Sequence, residues 1–301
     1  MLVNKATLTA VFTALKTEFN NAFAASEPKW PKFAMRVPST SGQNDYTWLS
    51  SFPKMRRWIG DKYIKNLEAF KYTIENHPFE ATVKVERDHV EDDNLGIYGP
   101  QAQMAGYSAQ QWPDELVFDV VNSGFTALCY DGQYFFDTDH PVGDASASNK
   151  ITAALAIDTL ANAKASYGAL RTLIKGQKDA EGRPLNVMPN VLLVPTALED
   201  LANSLMTNER LEDGKPNPYR GTAEVVADAR LTSDTAWFLI DATKPVKPFV
   251  FQERKAPVFV SQTDMSADDV FSKGVYKFGA EARGNAGFGL WQLAGGSTGA
   301  G

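Results

Sequence analysis

The apolar pattern of residues 100–132, PQAQMAGYSAQQWPDELVFDVVNSGFTALCYDG, constrains this chain more than any other stretch. Leu116, Val117, Val120, Val121, Phe125 and Leu128 recur at three- and four-residue spacing, which lays one stripe along a helix. Asp114 and Glu115 follow Pro113, the order favoured in a helix's first turn. Met104 and Tyr107 extend the pattern upstream. Two readings stay open. One is a single helix of roughly 45 Å with Pro113 as an interior kink. The other is a pair of core helices broken between Trp112 and Pro113. A continuous helix of that length exceeds the needs of a small core and would act as a spine.

Ahead of this stretch, Leu8, Val11, Phe12, Leu15, Phe19 and Phe23 share one helical face, with Thr7 as a candidate cap. The segment SEPKWPKFAMRVPSTSGQ then brings three prolines and little periodicity, which reads as an extended arm. A helix tethered in this way is expected to dock outside its own domain. In residues 46–76, Trp48, Phe52, Trp58, Tyr63, Phe70 and Tyr72 are interleaved with Lys54, Arg56, Arg57, Lys62, Lys65 and Lys71. The Gly60-Asp61 pair marks a turn between two strand-like runs. Such a ribbon could clamp nucleic acid, pack on a neighbouring subunit, or form an ordinary hairpin at a sheet edge. The formal net charge of −6 favours the second, because broad nucleic-acid binding needs a surplus of Lys and Arg.

The remainder reads as α+β. Residues 79–86 alternate apolar and polar as a half-wet strand. A helix carries Ile157, Leu160, Ala163, Tyr167, Leu170 and Ile174 and closes at Gly176. Residues 190–194 form a buried strand, and Pro195 starts a helix bearing Leu198, Leu201 and Leu205. Residues 208–221, rich in Pro, Gly and Asn, read as a long mobile loop. Strands are expected over 223–231, 236–240, 249–252, 258–262, 270–283 and 288–293, with the Gly284 to Gly287 run turning the last pair. The chain of 301 residues is long enough to bury a core without disulfide or metal staples. Its one cysteine, Cys129, reads as an inert buried thiol. No run of about 18 uncharged apolar residues predicts a membrane span. The start, MLVNKATLTAVFTALKTEF, is interrupted by Lys16 and Glu18 and does not read as a signal peptide.

Catalytic patterns fare poorly. Asp131, Asp137, Asp139 and His140 could hold a divalent metal, giving a metal-dependent hydrolase as a rival reading. They miss the calcium-loop pattern, and the three histidines, His77, His89 and His140, lie far apart in sequence. Carboxylates bonding backbone amides in a tight loop explain them as well. Ser108 lacks the second glycine of a nucleophile elbow, and Gly284, Gly287 and Gly289 miss the dinucleotide spacing. No cofactor site and no enzyme activity is expected.

Longer stretches carry a resemblance. EDDNLGIYGP at 91–100, PDEL at 113–116, GFTALCYDGQYFFDTDHPV at 124–142, VKPFVFQERKAP at 246–257 and AEARGNAGFGLWQLA at 280–294 resemble the major head proteins of Mu-like tailed phages. With the amphipathic start and the Trp48 region, the likeness covers most of the chain and is weakest over 149–222. It implies the Hong Kong 97 capsid fold. Residues 1–43 would be an N-terminal arm and 44–77 an extended hairpin, the E-loop. Residues 78–131 and 251–294 would form a peripheral domain with the spine helix, 132–250 an axial domain, and 295–301 a flexible tail. The loop at 208–221 would lie near a local symmetry axis.

The function so implied is self-assembly into hexamers and pentamers of an icosahedral virion shell around double-stranded DNA. Assembly would take place in the host bacterial cytoplasm. The contact residues expected are Trp48, Arg56, Arg57, Trp58 and Lys62 on the hairpin, with Phe12, Leu15 and Phe19 on the arm. No scaffold-like coiled segment precedes the arm, so scaffolding or a protease is expected from a separate protein. A portal and an optional decoration protein complete the partners. DNA would be met by non-specific contact only, without covalent cross-links between subunits and without a membrane. An encapsulin-like nanocompartment shell of the same fold is the nearer rival.

Overall fold

Two sheets that share one core organise the molecule, and one long helix packs across the first of them. The computed structural model describes residues 5–50, 72–92, 96–264 and 267–301. In chain order, α1 (Lys5–Ala25) precedes β1 (Ala34–Pro38), β2 (Gln43–Asp45), β3 (Thr73–Glu75), β4 (His77–Glu86), α2 (Arg87–Glu91) and α3 (Tyr98–Ser123). Next come β5 (His140–Val142), β6 (Ala145–Ala147), β7 (Lys150–Ile151) and α4 (Leu160–Ala163). A π turn (Lys164–Gly168) carries α4 into α5 (Ala169–Lys175). Then follow β8 (Val191–Val194), α6 (Glu199–Thr207), β9 (Glu224–Ala227), β10 (Trp237–Ile240), β11 (Phe249–Gln262), α7 (Asp268–Lys273), β12 (Val275–Phe288) and β13 (Ala294–Ser297).

The first sheet has the order β1-β11-β12-β4, and the second β7-β13-β10-β8-β9. α3 crosses the first sheet as one helix, uninterrupted through Pro113. The proline removes one ladder bond, but the helix continues on both sides of it. Trp112 lies against Phe79 and Phe251, and Val117 and Phe118 are fully buried. The two-helix reading is thereby excluded. The helix stops at Ser123, short of Phe125 and Leu128; Leu128 instead faces Tyr134 across an isolated bridge and is exposed. A core of Phe33, Phe118, Phe135, Phe136, Phe249, Phe288 and Trp291 ties the two sheets together. Tyr167, Leu170, Ile174, Trp237 and Leu239 fill a second core around α5 and β10. Among the described residues no helix is long and apolar enough to cross a membrane.

Several expectations change. The C-terminal run is no flexible tail: β13 is buried between β10 and β7. Its glycines are there for close approach. A Cβ on Gly295 would lie 2.7 Å from Leu170, and one on Gly296 2.8 Å from the Phe136 ring. The Gly284 to Gly287 run lies inside β12 rather than turning a pair. Residues 270–273 belong to α7 and the β12 strand begins at Val275, while Trp291 to Leu293 form a 3-10 turn. The stretch 208–221 is tied down rather than mobile. Asn217 Nδ2 donates to the Leu205 and Asn208 carbonyls, Gly221 N donates to Met206 O, and Leu211 is buried.

Candidate assembly surface and the junction behind it

The arm helix α1 lies on its own subunit. Phe12 meets the Tyr276 and Phe278 rings edge-on, each at 6.3 Å, and Phe19 meets Phe259 at 5.6 Å. Leu15 belongs to the same buried cluster as Phe12. This corrects the expected role of Phe12, Leu15 and Phe19: their side chains are used up inside the subunit and offer nothing to a neighbour. The helix stripe was read rightly, but which surface it covers is a tertiary fact. The seat is Gly106 of α3, where a Cβ would fall 2.2 Å from Phe19 O. Gln103 and Gln111 flank that contact with hydrogen bonds to Glu18 and Ser26.

After α1 the arm is pinned by Asp114. One carboxylate oxygen accepts from Lys29 N at 2.9 Å and Trp30 N at 2.7 Å. Lys29 Nζ reaches Ala227 O at 2.7 Å and the Asp228 carboxylate at 3.1 Å, and Arg230 bonds both Asp228 and Gln111. Arm, spine and the β9 end are thus held by one polar cluster. Burial works against the Asp228 charge. The Arg230 amide, Lys29 and the Arg230 guanidinium outweigh it and hold that carboxyl below the usual range. Asp114 runs the other way, because burial outweighs the two amides and lifts its carboxyl.

A carboxyl lowered by folding gives stability that is complete above its unfolded pKa of about 3.9 and is lost as pH falls through the lower folded value. Asp228 is therefore expected to contribute to a loss of melting temperature below about pH 4, whereas Asp114, whose carboxyl folding raises, adds stability as pH falls toward about 4, before that loss begins. Asp228→Asn should cost about 1–2 kcal/mol at neutral pH and make the acid limb shallower. Melting curves of both proteins across the acid range check this.

The base of the ribbon is rigid. β2 and β3 pair antiparallel, and Tyr46 Oη donates to buried Gln252 at 2.8 Å. Gln252 Nε2 in turn donates to Ile74 O and Asn76 Oδ1, and Asn76 donates to Ser39 and Ser41. Tyr72 Oη accepts from Phe288 N at 3.0 Å. Both ends of the intervening segment are thereby fixed to β11 and β12. Arg56, Arg57, Trp58 and Lys62 lie outside the described residues. Trp48 falls on a 3-10 turn (Thr47–Ser50), and its side chain also lies outside the description.

The polar group at 129–149 forms a closed junction. The Cys129 thiol donates to Asp131 Oδ1 at 3.0 Å, His140 Nδ1 meets Asp131 Oδ2 at 2.8 Å, and His140 Nε2 meets Asn149 Oδ1 at 3.2 Å. The His140 ring stacks on Trp291 at 3.9 Å. Buried Asn149 donates to the Phe135, Trp291 and Ala294 carbonyls and accepts from Asp137 N. Burial and the neighbouring Asp131 charge push the Cys129 thiol up, away from nucleophilic character. Burial also opposes the Asp131 charge, but hydrogen bonds from His140, Cys129 and Gln133 outweigh it and lower that carboxyl.

Cys129, Asp131 and His140 lie close enough to share a metal ion. Their donor atoms are already engaged with one another and with Asn149, which makes the cluster a structural brace. Of the four residues in the hydrolase reading, only Asp131 and His140 come together. Asp137 turns to the Thr138 amide, and Asp139 is exposed. Asn149 was missed by sequence reasoning, since a lone Asn in a polar loop carries no signal of burial.

Comparison with known proteins gives one consistent family. The family model described as Mu-like prophage major head subunit gpT matches residues 8–163, 153–231 and 227–300. The major capsid protein of Escherichia phage Mu is 33% identical over 294 residues, 98% of this chain and 74% of the relative. The Mu-like prophage FluMu major head subunit of Haemophilus influenzae is 30% identical over 285 residues, 95% of this chain and 71% of the relative. Among solved structures, a chain of the bacteriophage JBD30 procapsid is 34% identical with a TM-score of 0.61, covering 98% of this chain and 76% of that one.

Proposed function

Because this chain belongs to the Mu-like major head subunit family, and so is a tailed-phage major capsid protein with the Hong Kong 97 fold, we propose that the basic, aromatic ribbon at 44–77 is its main grip on neighbouring subunits. The family is structural, not enzymatic, and the protein's place is the virion capsid. The observation that carries the proposal is a hydrogen-bonded base at both ends of a segment whose sequence is rich in cations and aromatics. The clamp through Tyr46, Gln252, Asn76 and Tyr72 fixes both ends of a segment that gathers Lys54, Arg56, Arg57, Trp58, Lys62, Lys65 and Phe70. Aromatics and Arg are the residues enriched at protein interfaces.

In this reading the subunits form hexamers and pentamers by head-to-tail contacts, which close into rings when the rotation allows. The ordered lobe at 208–221 lies toward the ring axis. Scaffold or protease, portal and decoration functions come from separate proteins, and the shell assembles in the bacterial cytoplasm before DNA enters. The inner surface meets DNA without reading its sequence, in keeping with a chain of net charge −6. Removing Gly60 and its flanks tests the grip. The shortened chain is expected to keep its melting temperature, because the ribbon base is anchored elsewhere, and to lose closed shells under electron microscopy. Normal shells from that variant would remove the ribbon from assembly.

A further inference from the structure

β4 forms one edge of the first sheet, and among the described residues no strand pairs with its outer side. Its register with β12 is continuous from His77 to Glu86. Two neighbouring amides show which backbone groups face outward. Glu86 N donates to Tyr98 Oη and Asn76 N to Gly42 O, both away from β12, while Arg87 N turns inward to Gly274 O. Antiparallel alternation therefore directs the amides and carbonyls of Glu80, Thr82 and Lys84 off the sheet. All three side chains are exposed. The spine meets this edge at its Glu86 end through Tyr98; on the sheet face beside Phe79 and Ala81 a cleft of about 150 Å³ lies between spine and sheet, lined by Ser108, Ala109, Trp112 and Glu115 among others.

The sequence HPFEATVKVE is complementary to itself when reversed. With Thr82 placed opposite Thr82 of a second copy, Glu80 faces Lys84 and Lys84 faces Glu80. Ala81 then faces Val83, and Phe79 faces Val85. Only residues with outward backbone groups become hydrogen-bonded pairs in this register, as an antiparallel ladder requires. Moving either strand by two residues loses the paired charges. Charge and proline on an edge strand commonly discourage pairing; here the charges match in the register centred on Thr82, and the other antiparallel register that matches them, Lys84 opposite Glu86, overlaps only the last three residues of the strand.

We propose that β4 joins β4 of a second copy across a two-fold axis at Thr82, making one continuous sheet from two subunits. Such an isologous contact differs from the head-to-tail grip of the ribbon and would link separate rings. It rests on the capsid reading only in that assembly brings copies together.

Thr82→Cys tests it. Hydrogen-bonded partners have Cα atoms about 5.5 Å apart, within disulfide reach. Cys129, the one native cysteine, is buried, so the parent gives little background. Shells of the variant, oxidised with copper phenanthroline, should run as dimers on non-reducing gels. Adding Glu80→Lys should lower the dimer yield about tenfold by placing like charges opposite, and adding Lys84→Glu to that chain should restore it. Well-formed shells that give no dimer overturn the contact while leaving the capsid reading intact. Should the cysteine variant not assemble, hydrogen exchange on the parent decides: protection of the Glu80, Thr82 and Lys84 amides on assembly supports the contact, and unchanged exchange overturns it.

Discussion

Gly106→Val is expected to unseat the N-terminal helix, lowering the melting temperature by roughly 5–10 °C and opening the segment around Lys29 to trypsin. The obstacle is backbone, not a movable side chain. A Cβ at this position falls 2.2 Å from Phe19 O, so α1 and α3 must separate. Separation uncovers Leu8, Phe12, Leu15 and Phe19, whose burial is worth about 1.5–3 kcal/mol each. Partial loss of that contact accounts for the expected shift. Gly106→Ala sharpens the test. In an ordinary helix interior this change stabilises by about 0.5–1 kcal/mol. Here it should destabilise, though less than valine. A stabilised alanine variant would show that the helices do not cross at this distance.

Asn149→Ala is expected to cost at least about 3 kcal/mol, and Asn149→Asp as much despite its matching shape. The side chain is fully buried and serves five partners, three of them in residues 135–140 and two in residues 291–294. Alanine leaves the Phe135 and Ala294 carbonyls, the Asp137 amide and His140 Nε2 without partners, and an unmet buried group costs about 1–3 kcal/mol. Aspartate keeps the acceptor for His140 but turns a second oxygen toward carbonyls. The readouts are melting temperature and hydrogen exchange at Gly296, whose amide bonds Asn149 O. Loss of protection there with β8 unaffected would place the damage at the C-terminal strand.

Periodicity made the helices and the half-wet β4 strand legible, because repeats of 3.6 and 2 are local properties. It also marked the spine, although only packing around Trp112, Val117 and Phe118 decides that Pro113 does not break it. Glycine runs were misread for the same reason that residues 208–221 were. Composition shows permissiveness, and the neighbours that use it are distant in sequence. Gly295 and Gly296 read as a loose end, yet they let α5 and the Phe136 ring close on a central strand. The arm helix was recognised but assigned to the wrong surface, since an apolar stripe does not say whose core it joins. The hydrolase group was half right in membership: Asp131 and His140 meet, but with Cys129 and Asn149 rather than with Asp137 and Asp139.

Electron microscopy of the purified, negatively stained protein tests the central claim most directly, that each copy is completed by other copies of itself. Closed shells of uniform size are the predicted result. A population that stays monomeric at every concentration and salt, with the 51–71 segment resistant to protease in the isolated chain, would contradict it.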